Sequence, residues 1–202
     1  MEKPGFEKDQ EGELVLESLG KPIKRYRLRN SAQKINTVSI REAGLPLAVE
    51  EFSEKVAGYP VVSLVNCFSE YDQCTLDPAS HNIMAFHTPL EIMRITMVLT
   101  GYMNAMQAFE RVMRRVLQHH ILGGRCEPFI DDVAAKATSR SRYPYSNGKP
   151  KMSAVPGVLR YISESIHSLN ELLADIGRAG GTISGFKSAF VRGIEDGRIR
   201  LQ

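Results

Sequence analysis

The sequence has no tryptophan, and no apolar run in it approaches the roughly 18 residues that a membrane-spanning helix needs. The missing tryptophan decides nothing, but the missing run excludes a transmembrane helix. The N-terminus also lacks the apolar core of a secretory leader. Residues 1–20 are polar and acidic, with Leu14-Val15-Leu16 their only apolar run. They predict a poorly ordered lead-in to an intracellular protein. Cysteine is scarce: Cys67, Cys74 and Cys126 are odd in number and not in C-x-x-C spacing, which argues against both a disulfide framework and a zinc site. Small buried hydrophobes is the role this leaves them. Nor is there a large excess of one charge, since 26 Lys and Arg against 23 Asp and Glu give a net +3.

What is present is ordinary for a globular chain: 202 residues, 43% hydrophobic and 24% charged. That is enough for one domain with a substantial core or for two small lobes. The charge is unevenly distributed. After the acidic start come Lys21, Lys24, Arg25, Arg27, Arg29, Lys34 and Arg41 with no acid among them. A second acid-free stretch carries Lys136, Arg140, Arg142, Lys149, Lys151 and Arg160. Either run alone reads as a solvated flank. Two of them around an acidic pair suit polyphosphate or a nucleic-acid backbone.

Periodicity places the elements. Ile23 to Leu28 alternates as a short strand with its cations on one face, and Leu45, Val49, Phe52 and Val56 recur at helical spacing up to Gly58. Tyr59 to Val65 is nearly all apolar and β-rich, predicting a buried central strand that ends at Asn66. Ile83 to Phe86 and Ile92 to Val98 read as strands broken at Thr88-Pro89. A helix from about Met103 to Gln118 follows, with Ala105, Met106, Phe109, Val112, Met113, Val116 and Leu117 inward and Asn104, Gln107, Arg111, Arg114 and Arg115 outward. Residues 138–156 are long for a loop and predict an insertion or mobile flap. Pro156 opens a last helix lined by Leu159, Ile162, Ile166, Leu169, Leu173 and Ile176, and Thr182-Ile183-Ser184 is the expected closing strand. The tail from Lys187 to Gln202 has no clear pattern. Strands and helices interleave irregularly, which predicts an α+β fold, an antiparallel sheet with helices on one face.

Between the Gly123-Gly124 break and the loop lies Pro128-Phe129-Ile130-Asp131-Asp132-Val133-Ala134-Ala135. Short apolar runs on either side of a two-residue break predict a β-hairpin with the acids at its tip. Gly or Asn takes a primed turn more cheaply, and adjacent like charges repel, so two acids there suit a bound cation. Asp is common in turns in any case, and on these residues alone a plain solvated turn is the ordinary reading of the pair.

In their order, these segments resemble the reverse transcriptases of gypsy-class LTR retroelements, particularly fungal ones, over residues 21 to 187. Phe129-Ile130-Asp131-Asp132 is similar to the aromatic-x-Asp-Asp hairpin that carries two metal-binding acids there. Val65-Asn66-Cys67-Phe68-Ser69-Glu70-Tyr71-Asp72-Gln73 resembles the strand end that supplies the third acid and, five positions on, an aromatic residue against the sugar of the incoming nucleotide. Val98-Leu99-Thr100-Gly101-Tyr102-Met103-Asn104-Ala105 is similar to the segment that opens the helix beside template and nucleotide. Arg27, with Lys21 or Lys24, resembles the basic fingers strand that neutralises the triphosphate.

The resemblance implies a polymerase palm plus a partial fingers subdomain over 21–202, with thumb, connection and RNase H segments absent. It also implies an RNA-directed DNA polymerase that uses Mg²⁺ or Mn²⁺ with dNTP and an RNA or DNA primer-template. Asp131, Asp132 and the position of Asn66 would be catalytic, Asp131 and Asp132 would bind metal, and Arg27, Lys24, Tyr71, Gly101 and Asn104 would bind nucleotide. In-line nucleotidyl transfer explains the residue types, because hard Mg²⁺ takes carboxylate oxygen and cations offset phosphate charge. The departures are equally specific. Asn66 stands where the family has Asp, and an amide oxygen brings no charge and cannot bridge two ions. Leu99 replaces a usual Pro. The expectation is a degenerate retroelement domain, or a host protein descended from one, with impaired catalysis. The alternatives are a nucleic-acid-binding or partner-binding protein that reuses the fold, and a residually active polymerase. Tyr71 as core, Asn104 as a helix cap and Lys187 as a solvated cation are the plain readings of those residues. His119 and His120 at a helix end, and His81, His87 and His167, suggest no site.

Overall fold

The computed structural model describes residues 5–6, 24–25, 31–44, 48–145, 147–195 and 198–199, with residues 5–6, 24–25 and the six from 192 on described by backbone alone. The chain divides into two units, Met1–Ser31 and Ala32–Gln202. In the first, β1 (Gly5–Phe6) pairs antiparallel with β2 (Lys24–Arg25). Of the strand expected over Ile23 to Leu28 only those two residues are described. The rest of the lead-in, Lys21 and Arg27 lie outside the described residues.

The second unit holds, in order, α1 (Gln33–Val38), α2 (Val49–Val56), β3 (Val61–Asn66), β4 (Ala85–His87), β5 (Ile92–Arg94), α3 (Ala105–Val116), α4 (Gln118–Leu122), β6 (Cys126–Phe129), β7 (Asp132–Lys136), α5 (Arg160–Arg178), β8 (Ala189–Glu195) and β9 (Arg198–Ile199). The sheet runs β6-β7-β3-β8-β9, all antiparallel, with β4 and β5 as a separate hairpin. β3 sits in the middle because its side chains are apolar on both faces, and five of its six residues are buried.

The strand register sorts the two faces. Val65 pairs with Val133 and Ser63 with Ala135. These point toward the core, where Phe109, Met113 and Leu117 meet Leu169, Leu172 and Ile176 of α5. The alternate rows, Val62 with Lys136, Leu64 with Ala134 and Asn66 with Asp132, share the opposite face. A small helix touches that second face: Phe52 of α2 lies against Phe129, ring centroids 4.7 Å apart. No helix among the described residues is long and apolar enough to cross a membrane.

Several expectations shift. Residues 45–47 lie outside the described residues, and the helix expected from Leu45 is described from Val49, with no buried residue. On α3, Val112 is exposed whereas Gln107 and Glu110 are buried, because Glu110 and Glu127 form a paired cluster with Arg114 at the sheet edge. Ile166 on α5 is likewise exposed, and Leu172 takes the core place expected of its neighbour. Thr182 to Ser184 form no strand; Ile183 makes one isolated bridge to Cys67. The closing strand is β8, in the tail that carried no pattern. It follows a bulge between Val62 and Leu64, where the Ser63 hydroxyl accepts from the Val191 N–H at 2.9 Å in place of a ladder carbonyl. Within the stretch 138–156, backbone hydrogen bonds link described residues. Tyr145 donates to the Lys149 carbonyl at 2.7 Å, Lys151 to Tyr143 at 2.9 Å, and Ser153 to Val158 at 2.8 Å.

Candidate functional site

β6 and β7 form the hairpin, but Phe129 pairs with Asp132, so the two turn residues are Ile130 and Asp131. The Asp-Asp tip expected from sequence is thus displaced by one residue, and Asp132 begins the strand. The positive φ falls on Ile130, at 55°, where a β-branched side chain costs about 1–2 kcal/mol. Gly would take that first turn position most cheaply.

β3 ends beside this tip. Asn66 pairs in register with Asp132, and the Cys67 N–H donates to the Asp131 carbonyl at 3.0 Å. The Asn66 side-chain Nδ2 donates to Asp132 Oδ1 at 2.7 Å. Turning the amide over would set oxygen against oxygen, so the carboxylate fixes its orientation. The Asn66 Oδ1 is then buried without a partner. Backbone contacts pin the residue: its N–H donates to the Ser188 hydroxyl at 3.0 Å, and its carbonyl accepts from Ser184 at 2.8 Å. Sequence reasoning missed Ser188, and an isolated serine in a patternless tail carries no signal.

Burial pushes the Asp132 carboxyl above its ordinary range, and the Asp131 charge adds to this, while the Asn66 hydrogen bond and Lys187 pull the other way. Lys187 itself is exposed, as a solvated cation would be. Burial, with Asp132, Asp131 and Glu70 nearby, pushes the Cys67 thiol up to about 11. It stays a protonated, buried neighbour rather than a nucleophile.

Tyr71 lies in a short 3-10 helix, Glu70–Gln73, half-buried with its ring edge-on to Phe109 at 6.1 Å. Burial, then Glu70 and Asp131, raise its hydroxyl. It is both a core contact and a neighbour of the acidic pair. Gln73 ties the same 3-10 helix to the chain beyond α5, donating to the Phe68 and Thr182 carbonyls and accepting from the Thr182 N–H at 2.7 Å.

Gly101 and Asn104 belong to a different set of contacts. Gly101 has φ 92°, a backbone only Gly takes freely, and its carbonyl accepts from Asn36 Nδ2 at 3.0 Å. Asn104 precedes α3 yet makes no cap bond. Its amide instead accepts from the Glu42 N–H at 3.0 Å and donates to the Ile40 carbonyl at 2.9 Å, bridging a neighbouring segment as a β-strand would. Asn36 returns the grip, accepting from the Met103 N–H at 2.9 Å. Arg27 lies outside the described residues, and of Lys24 only the backbone is described.

The donor set can be tested against two divalent ions. Among the described residues no group of three or more His, Cys, Asp or Glu is placed to hold a metal. Asp131 and Asp132 offer two carboxylates. The third ligand position is an amide whose N–H already occupies Asp132 Oδ1, the side on which a shared ion would sit, and whose oxygen is turned away. These residues do not fit a two-ion centre in this arrangement.

An antiparallel sheet with two long helices on one face, a strand end and a hairpin tip carrying acids is the α+β fold of a reverse transcriptase's palm with part of its fingers. Neither a protein-family model nor a curated protein sequence matches the chain. Solved structures do. A foamy viral protease-reverse transcriptase in complex with double-stranded DNA superposes with a TM-score of 0.64 at 15% identity, covering 89% of this chain and 27% of that one. The native prototype foamy virus protease-reverse transcriptase gives 0.60 at 13%, covering 88% and 20%. The same enzyme type with an RNA/DNA hybrid gives 0.61 at 14%, covering 88% and 20%. The chain spans about a quarter of the chains it matches, and at these identities the likeness is one of fold.

Proposed function

We propose that this chain is a reverse-transcriptase-like palm and fingers domain of gypsy-class LTR retroelement descent, acting inside the cell, in which nucleotidyl transfer is silenced by Asn66. The observation that carries this reading is the 2.7 Å hydrogen bond from Asn66 Nδ2 to Asp132. Where two carboxylates would face each other and require a cation, an amide and a carboxylate satisfy one another directly. A hydrogen bond to a charged group contributes about 1.5–3 kcal/mol, and an ion entering here would have to displace it.

On this reading Asp131, Asp132 and Asn66 mark an inherited catalytic position, and Tyr71 stands where a nucleotide sugar would pack. The foamy viral structures in complex with double-stranded DNA and with an RNA/DNA hybrid are the precedent for nucleic acid as partner. Primer extension on poly(rA)·oligo(dT) with Mg²⁺ or Mn²⁺ tests the proposal. No incorporation above background is expected. Robust incorporation that Asp131→Ala abolishes would overturn it.

A further inference from the structure

The second acid-free stretch is not absorbed by the acidic pair. From Ala137 through Ser163 there is no Asp or Glu. Elsewhere in this unit Arg111, Arg114, Arg125 and Arg178 each hold a carboxylate. Among the described residues Arg140, Arg142, Lys149 and Lys151 hold none, and Arg140, Arg142 and Lys149 are exposed. Charges without an internal partner are available to an external anion.

Aromatic rings are interleaved with these cations. Arg140 lies 5.2 Å from the Tyr59 ring centre, Lys151 is 5.8 Å from Tyr145, and Arg160 is 5.2 Å from Tyr143. With Lys136 at 5.3 Å from Tyr59, all four such pairs among the described residues fall here. Tyr145 remains 48% exposed. The backbone is already set: Lys151 donates to Tyr143 and Arg160 to Lys151, each at 2.9 Å, so the segment forms two successive small hairpins. A platform ordered beforehand loses little entropy on binding.

Cations that meet phosphate and an open ring that takes a base face describe a ligand of one kind. We propose that residues 140–160, with Tyr59, form a binding surface for single-stranded nucleic acid, separate from the Asn66–Asp132 pair. Lys136, whose ammonium lies over Tyr59, pairs with Val62 and not Asn66, about 13 Å along the strand from the Asn66–Asp132 row. A duplex would hide its base faces from Tyr145, so an unpaired strand is the species that fits. The inference stands on these contacts and holds whether or not the acidic pair is silent.

Fluorescence anisotropy of the full chain with labelled ~20-nucleotide oligo(dT) and oligo(rU), over a salt series, tests it. The double variant Arg142→Glu, Lys149→Glu should weaken binding by about tenfold or more and flatten the salt slope by about 1.4, the value for two phosphate contacts on a single strand. Tyr145→Ala should cost about tenfold, and Tyr145→Phe, which keeps the ring, less than about twofold. The charge-matched control Arg111→Glu, Arg115→Glu on α3 should bind as the parent, with thermal melts verifying that each variant folds. Loop variants that bind normally, a control that loses as much, a normal Tyr145→Ala, or duplex binding that is as tight and falls equally in the loop variants would overturn the proposal. So would loop-dependent binding of anionic phospholipid vesicles or poly-glutamate without binding of the oligonucleotides.

Discussion

The two ends of the β3–β7 ladder solve the same problem in opposite ways. At the Asn66 end, polar groups face each other and close the account internally: the amide donates to Asp132, serines hold the backbone, and only the Asn66 Oδ1 is left over. At the Lys136 end, cations crowd around tyrosine rings, and those on the loop beyond have no carboxylate to meet. A site whose groups satisfy one another does not call for a ligand, whereas a surface whose charges lack partners does. Acids lie at one end of this ladder, and cations without a carboxylate partner lie beyond the other.

Asn66→Asp breaks the contrast most severely. It sets two carboxylate oxygens where the present bond measures 2.7 Å, at a position 7% exposed. An uncompensated buried charge costs about 3–5 kcal/mol, so in EDTA the melting temperature should fall by roughly 6–15 °C. Millimolar Mg²⁺ or Mn²⁺ should restore much of the loss if the geometry still suits a cation. An equally stable variant in EDTA would mean that the Asn66 amide is not what holds this end together.

A smaller effect sharpens the other end. Lys136 is buried and donates to the Lys55 carbonyl at 3.3 Å, so within the basic cluster it is structural. Lys136→Met should change stability by no more than about 1 kcal/mol, since it exchanges one weak bond for apolar packing over Tyr59. Oligonucleotide binding should stay within about twofold of the parent in anisotropy. A large loss of binding would move the proposed surface from the loop onto the sheet.

The smallest effect is a pH dependence at Asp132. Its carboxyl is raised in the folded protein, so the protonated form favours folding. That stabilisation is complete below the ordinary 3.8 and is lost as pH rises through the raised value. Asp132→Asn retains an oxygen for the Asn66 amide and removes the buried charge. It should melt slightly higher than the parent at pH 7, and the gap should close as pH is lowered toward 3.8. A gap that widens on acidification would reverse the sign assigned to Asp132.

Much of this was legible in the residues, for identifiable reasons. β3 and the hairpin could be read because unbroken apolar runs leave a strand few places to go, and α3 and α5 because their period is long. The pairing of the strand end with the acids followed from the resemblance and is found as the Asn66–Asp132 register. What could not be read depends on contacts between distant residues. Asn104 looks like a cap, but its partners are 62 and 64 residues away. The one-residue shift that leaves Ile130 in the turn depends on how β7 registers against β3, which a local pattern does not fix. β8 has little alternation because a bulge interrupts it and serine hydroxyls complete its bonds. The order within residues 138–156 is backbone hydrogen bonding across Pro-rich turns, which composition alone makes look like open loop.

The central claim is that an amide-to-carboxylate bond stands where a cation would be held, and direct measurement of ion binding reaches it without relying on activity. Titration of Mn²⁺ followed by electron paramagnetic resonance should find no binding at the hairpin tip of the parent protein, and a site in Asn66→Asp that Asp131→Ala removes. Stoichiometric Mn²⁺ binding by the parent, abolished by Asp131→Ala, would contradict it.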